Sequence, residues 1–305
     1  MKLKSLVVAL SMASAFNLMG AASGVMATPT AVVVGVQMPA WVERGGTRQP
    51  LAAGMELQAS DKVSTGANSR LLLRLAEGSE VKLGENALLS LDKLAQRQEN
   101  KSTFLEAAID VVRGAFRFTT DAKAKIASRR QVDIRVTTVT AGIRGTDLWG
   151  KSAADRDIVC LIEGKIQVQR EAEAPVNMDQ ALQFYISAKG ADGKADASKK
   201  AVLAAVDSVQ LTQWATETEI AAGQGAARKG GKWKVVAASH DNQAGALQLY
   251  DRLRAAGYAA EIHPMGTPDK RSYQVRIGNL PSQAEAEALG AKVDAVTGGR
   301  SSTAA

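Results

Sequence analysis

Two histidines, His240 and His263, and one cysteine, Cys160, are the scarcest reactive side chains of this 305-residue chain. A single cysteine forms no internal disulfide and no cysteine-cluster zinc site. Two histidines leave little room for an imidazole-based metal site, or for a Ser-His-Asp triad unless one of them sits in it. Cys160 lies in the apolar run Ile158-Val159-Cys160-Leu161-Ile162, where a small buried hydrophobe is a better reading than a reactive thiol. Carboxylates are plentiful, yet none is tied by spacing to the paired partner that glycoside hydrolysis needs. No glycine-rich loop with a closing Lys-Ser/Thr precedes a helix. The small basic run Ser128-Arg129-Arg130 reads as a solvated loop rather than a docking patch. No catalytic constellation emerges, and no cofactor, metal or catalysis is expected.

Composition sets the frame for those residues. Hydrophobic residues make up 46% and charged residues 23%, the balance of a globular chain, while aromatics at 4% leave the core to Val, Leu, Ile and Ala. The length suggests about two domains. Lys2 and Lys4 open a basic start, an apolar run follows from Leu6 to Phe16, and small residues lead to Val25-Met26-Ala27. This is the pattern of a secretory signal peptide over residues 1–27, so the mature chain is expected to begin near Thr28, exported to the periplasm. The apolar run is short for a membrane span and no later segment is long enough, so no transmembrane segment is expected. The formal charge of +7 becomes 7 − 2 = +5 once Lys2 and Lys4 leave. In an exported protein that charge meets envelope polymers, not nucleic acid.

The elements that must position the polar residues fall into two parts. From Thr28 to about residue 190, period-two patterning dominates: Leu71, Leu73 and Leu75, then Val81 and Leu83, then Ile166 and Val168 alternate with polar neighbours. Turn signals such as Glu77-Gly78-Ser79 and Glu163-Gly164-Lys165 separate them. An all-β sandwich, barrel or solenoid over residues 28–190 is expected, with helix plausible only around Thr103 to Val112. Residues 191–231 read as a connector, with a helix from Val202 to Ile220 and a flexible linker from Ala222 to Gly231. Residues 232–298 alternate strand and helix in the order β-α-β-β-α. Asp241 or Asn242 caps a helix striped by Ala246, Leu249, Tyr250 and Leu253. Ser282-Gln283-Ala284-Glu285 forms a capping box before a helix striped by Ala286, Leu289, Val293 and Val296. Such a unit gives an antiparallel sheet with both helices on one face.

The last segment, with Trp233-Lys234-Val235-Val236-Ala237-Ala238-Ser239, the helix closing on Leu253 and Gly257, and Tyr273-Gln274-Val275-Arg276-Ile277-Gly278, resembles the SPOR domain. The resemblance implies an RNP-like α+β fold and binding of septal peptidoglycan, on glycan strands stripped of stem peptides, in cell division. It places the groove on the open sheet face, and the residues it implies there are Lys234, Val236, Ser239, His240, His263, Gln274 and Arg276. Val236 stands where the family often has Gln, Ala238 where it has Gly, and His240 where it has Phe. The tail Gly299 to Ala305 is short and polar, which leaves the family's last strand without an evident counterpart.

Upstream, Ala67-Asn68-Ser69-Arg70-Leu71-Leu72-Leu73-Arg74-Leu75-Ala76-Glu77-Gly78-Ser79, then Thr140-Ala141-Gly142-Ile143-Arg144-Gly145-Thr146-Asp147, then the hairpin from Ile158 to Val168, resemble the FecR domain in that order. Arg144, Gly145 and Thr146 are its signature. The structural reading is preferred for them: Gly for a special backbone angle, Arg and Thr for turn carbonyls. Some family members signal to sigma factors through a membrane helix and cytoplasmic segment that this chain lacks. The expectation is an exported, non-enzymatic envelope protein that binds peptidoglycan, its FecR-like domain taking a protein or sugar ligand. The competing reading is a periplasmic FecR-type sensor or scaffold whose SPOR-like module no longer binds glycan. A cell-wall hydrolase has only the compartment in its favour.

Overall fold

The computed structural model describes residues 31–99, 102–121, 129–143, 145–171, 173–267 and 270–305. The expected signal segment, its cleavage point near Thr28, Ser128 and Arg144 lie outside the described residues. No described helix is long and apolar enough to cross a membrane.

The N-terminal part is a two-layered β domain. One sheet runs, edge to edge, through Ala226–Arg228, Ala31–Gln37, Arg70–Leu75, Glu80–Leu83, the C-terminal half of Ser102–Thr119, Asp147–Ser152, Arg156–Glu163, Gln183–Ala188 and Val202–Ala205. The other runs through Thr47–Pro50, Ala40–Arg44, Lys62–Thr65, Leu88–Glu99, the N-terminal half of Ser102–Thr119, Arg129–Val136, Val139–Ile143, Ile166–Arg170 and Val176–Met178. The long strand Ser102–Thr119 belongs to both and pins them together. Between them lies one core: Leu71, Leu73, Val81 and Phe116 from the first sheet meet Val63, Leu89, Ile109 and Ile134 from the second. Alternation thus does what the pattern predicts, one face of each strand in the core and one outside.

Four expectations need correction. Arg129 and Arg130 are not in a loop: they open strand Arg129–Val136, where backbone pairing with Phe104 and Leu105 overrides their charge. Thr103 to Val112 is strand, not helix: Leu105, Ala107, Ile109 and Val111 are the buried set, a period of two, and pairing on both sides overrides the helix-forming residues. Val202–Ala205 is the edge strand of the first sheet, and the connector helix spans only Ser208–Thr218, capped by Asp207, whose carboxylate accepts from the Gln210 N–H at 2.8 Å. The segment taken as a flexible linker contains Ala226–Arg228, which pairs with Gly35–Gln37 and closes the opposite edge. The β domain therefore runs past residue 190.

The connector helix lies on the outside of the first sheet. Trp214 stacks on Trp149 at 4.6 Å between ring centroids, with Phe184 edge-on to it at 5.8 Å. Cys160 is buried in the same cluster. Burial pushes its thiol up to about 12, so it is a packing residue.

The C-terminal part is an antiparallel sheet in the order Glu261–Thr267, Lys270–Leu280, Trp233–His240, Ser302–Ala304. Helices Gln243–Ala255 and Gln283–Thr297 cover one face, burying Ala246, Leu249, Leu253, Ala286, Leu289 and Val293 against Val235, Ala237, Val275 and Ile277. The last strand exists: Ser302–Ala304 pairs with Lys234–Val236. Backbone pairing needs no apolar residues, so a short polar tail can supply it.

The two parts meet at a built joint. Glu285 is buried, and its carboxylate accepts from the backbone N–H groups of Gly223, Gly225 and Ala226 at 2.7, 2.6 and 2.9 Å. The capping box is thus half formed: Ser282 Oγ accepts from the Glu285 N–H at 3.3 Å, while the Glu285 carboxylate serves the connector instead of the helix start. Lys292 Nζ donates to the Gln224 carbonyl at 2.7 Å. Burial lowers the pKa of that ammonium. Across the joint, the Ala40 N–H donates to the Gly257 carbonyl at 3.2 Å.

Candidate functional site

The free face of the C-terminal sheet carries polar side chains in cross-strand rows. Glu261, Arg276, Val236 and Ser302 are paired in register from edge to edge, and His263, Gln274 and Ser239 form the next row. Arg276 and Gln274 flank Val275, whose side chain is buried under the helices, so both point away from the helices. Among the described residues, the side chains of Gln274, Arg276, Ser239 and His263 make no hydrogen bond or ion pair within the protein. They form a shallow surface whose donors and acceptors are available to a ligand. Lys234 stands on the same side at the sheet's end, where its Nζ donates to the Ala305 carbonyl at 2.9 Å and ties down the tail.

His240 does not join this face. The ladder shifts register between Val236 and Ala238, so that Ser239 pairs with Gln274 while His240 pairs with Tyr273. The irregularity turns His240 to the helix side, beside Gly245 and Arg252 at the mouth of a crevice. Simple alternation counts Val236 and His240 on one face; a bulge breaks that parity. The loss of parity left no mark in the residue types. Glu261 was legible by the same alternation but carries no expected role; it sits opposite Arg276 at the sheet edge.

Of the FecR signature, Gly145 and Thr146 are among the described residues. Gly145 has φ 78°, the left-handed region. Thr146 is fully buried; its N–H donates to Thr120 Oγ1 at 3.1 Å, and its carbonyl accepts from the Thr120 N–H at 3.0 Å. Asp147 next to it holds Arg117 in a two-pronged ion pair, with Nε and Nη2 at 2.9 and 2.7 Å. Hydrogen bonding to that carboxylate raises the Arg117 pKa. These contacts fasten strand Asp147–Ser152 to its neighbour.

One further cluster has the residue types of a nucleophile site. Ser152 Oγ lies 2.9 Å from Lys189 Nζ. That ammonium also sits 2.8 Å from Asp157, and the pair is 6% and 0% exposed. Asp157 accepts from the Thr138 N–H and hydroxyl at 2.8 and 2.7 Å. The Lys189 ammonium is engaged by the buried Asp157 carboxylate as well as by Ser152, so the cluster is read as a tie between strand ends. Among the described residues no group of acidic, histidine or cysteine side chains could hold a metal ion.

Comparison with known proteins agrees with this anatomy. Residues 61–167 match the FecR protein family model, and residues 229–303 match the SPOR domain model. The chain thus contains a FecR domain followed by a SPOR domain, both non-catalytic binding or regulatory modules. SPOR domains bind peptidoglycan and belong to the cell envelope. Two crystal structures of a candidate anti-sigma factor from Parabacteroides distasonis are similar over 78% of this chain and 92% and 91% of theirs, at 14% and 13% identity, each with a TM-score of 0.37. No curated protein matches the chain.

Proposed function

We propose that this protein is an exported envelope component that docks on denuded peptidoglycan glycan strands through the free face of its SPOR sheet. Its FecR domain is a non-catalytic module for a protein or sugar ligand. The observation that carries the reading is the double row of unengaged polar side chains, with Gln274 and Arg276 at its centre. Glycan hydroxyl and acetamido groups need donors and acceptors on a shallow surface, and Gln, Arg, Ser and His supply both. Val236, between Arg276 and Ser302, gives the row an apolar patch for a sugar ring's C–H face.

Sedimentation with sacculi tests this. The protein should co-sediment with amidase-treated sacculi more than with intact ones. Arg276→Ala and Gln274→Ala should each weaken binding roughly 10- to 100-fold while leaving the melting temperature unchanged, the loss of one charge-assisted or neutral hydrogen bond at a half-exposed site. Binding no better than that of an unrelated basic protein would leave the sensor or scaffold reading in its place.

A further inference from the structure

The second sheet of the FecR domain carries a groove of about 1070 Å³ on its outer side, far in sequence from the SPOR face. Its floor is one register row across four strands: Asp133 pairs with Gly142, Gly142 with Gln167, and Gln167 with Asn177. Gly142 has no side chain, and a Cβ there would meet only Asp133 Oδ1, at 3.8 Å. The strand therefore leaves a gap in the row, flanked by a carboxylate on one side and two amides on the other. Ala108, next to Asp133 on the far side, keeps that flank low as well.

The polar groups are only partly used. Gln131 Nε2 donates to Asp133 Oδ2 at 3.3 Å, and Gln167 Nε2 donates to Asn177 Oδ1 at 3.1 Å. Each pair holds its members in place and leaves Asp133 Oδ1, Gln167 Oε1 and the Asn177 amide hydrogens for a ligand. Along the row the free groups run acceptor at Asp133, gap at Gly142, acceptor at Gln167 and donor at Asn177, on strands about 5 Å apart. Hydroxyl groups, which donate and accept together, match such an array. Among the described residues, the charged side chains lining the groove are Asp133, Lys165 and Asp179. Two carboxylates against one ammonium among these side chains disfavour a polyanion, and the polar row along the floor favours a hydroxylated ligand over an apolar peptide.

We propose that this groove is a second, separate carbohydrate site, taking an uncharged oligosaccharide with its ring over Gly142 and its hydroxyls on Asp133, Gln167 and Asn177. The inference stands independently of the SPOR reading. Its test uses the full chain carrying Gln274→Ala and Arg276→Ala, so that the SPOR face contributes nothing, titrated calorimetrically with a β-1,4-linked N-acetylglucosamine tetramer. Gly142→Val fills the gap with a residue that suits a strand, and its Cβ has nothing nearer than Asp133 Oδ1 at 3.8 Å. It should weaken binding about ten-fold or more, and so should Asp133→Ala, each with a melting temperature within about 2 °C of the parent. No measurable binding by the parent, an affinity untouched by Gly142→Val, or tighter binding of a sulfated tetramer would each overturn the proposal.

Discussion

At the residue scale, side-chain chemistry was legible wherever the sequence neighbourhood decided it. Cys160 sits in an apolar run, and the structure buries it beside Trp149. Its thiol, raised to about 12 by burial, stays protonated at pH 8 in the native state. Native protein should therefore be inert to thiol reagents until denaturant exposes the side chain; rapid labelling without denaturant would contradict this. The sign of the linkage follows. An unfolded thiol ionises near pH 8.5, the native one only near 12, so stability falls as pH rises between those values, by about 1.4 kcal/mol per unit. Gly145 was legible too, as a position of unusual backbone angle, and its φ of 78° bears that out. Gly145→Val should lower stability by about 1–3 kcal/mol in urea unfolding. An unchanged midpoint would move the signature from architecture to binding. His240 was not legible: one bulge upstream reverses its side, and a bulge has no residue signature in Val236-Ala237-Ala238.

At the element scale, strands and helices with a strong period were readable, and elements defined by long-range pairing were not. The helix stripes at Ala246, Leu249 and Leu253 and at Ala286, Leu289 and Val293 are the buried ones. Ala226–Arg228 had the composition of a linker because its partner, Gly35–Gln37, lies far away in sequence. Glu285 shows the same limit: a capping box is a local pattern, but the carboxylate finds three N–H groups about 60 residues upstream. Gly225 and Ala226 are buried at the joint, and their N–H groups lose the Glu285 acceptor in Glu285→Ala. The expected cost is about 3 kcal/mol, since a carboxylate and several donors are involved. Trypsin cleavage after Arg228 or Lys229 should accelerate in the same variant. An unaltered cleavage rate would mean that the connector is held by its strand pairing alone.

At the scale of the whole molecule, the joint makes the two domains one mechanical unit. The connector passes Glu285 at Gly223 to Ala226, joins the first sheet as its edge strand Ala226–Arg228 and enters the SPOR sheet at Trp233. A second contact lies on the other side, at the end of helix Gln243–Ala255. Gly257 there has φ +88°, and a Cβ on it would come within 2.5 Å of Trp41 Cζ2 and 2.8 Å of Pro39 Cβ. The Ala259 N–H lies 3.3 Å from Met38 Sδ beside it. Trp41 is held from its other side by Arg48, whose guanidinium carbon lies 4.1 Å from the ring centroid. The ring therefore cannot retreat without losing that contact. Gly257→Ala should separate the domains as well as strain the helix end, a cost of about 1–3 kcal/mol from the backbone alone. In calorimetry the parent should unfold in one transition, because neither domain can open without breaking the joint. Gly257→Ala should split that transition in two, the SPOR domain melting first. If the variant keeps a single transition at the parent's temperature, the contact at Trp41 does not couple the domains, and any orientation of the SPOR sheet's free face by the FecR domain must run through Glu285.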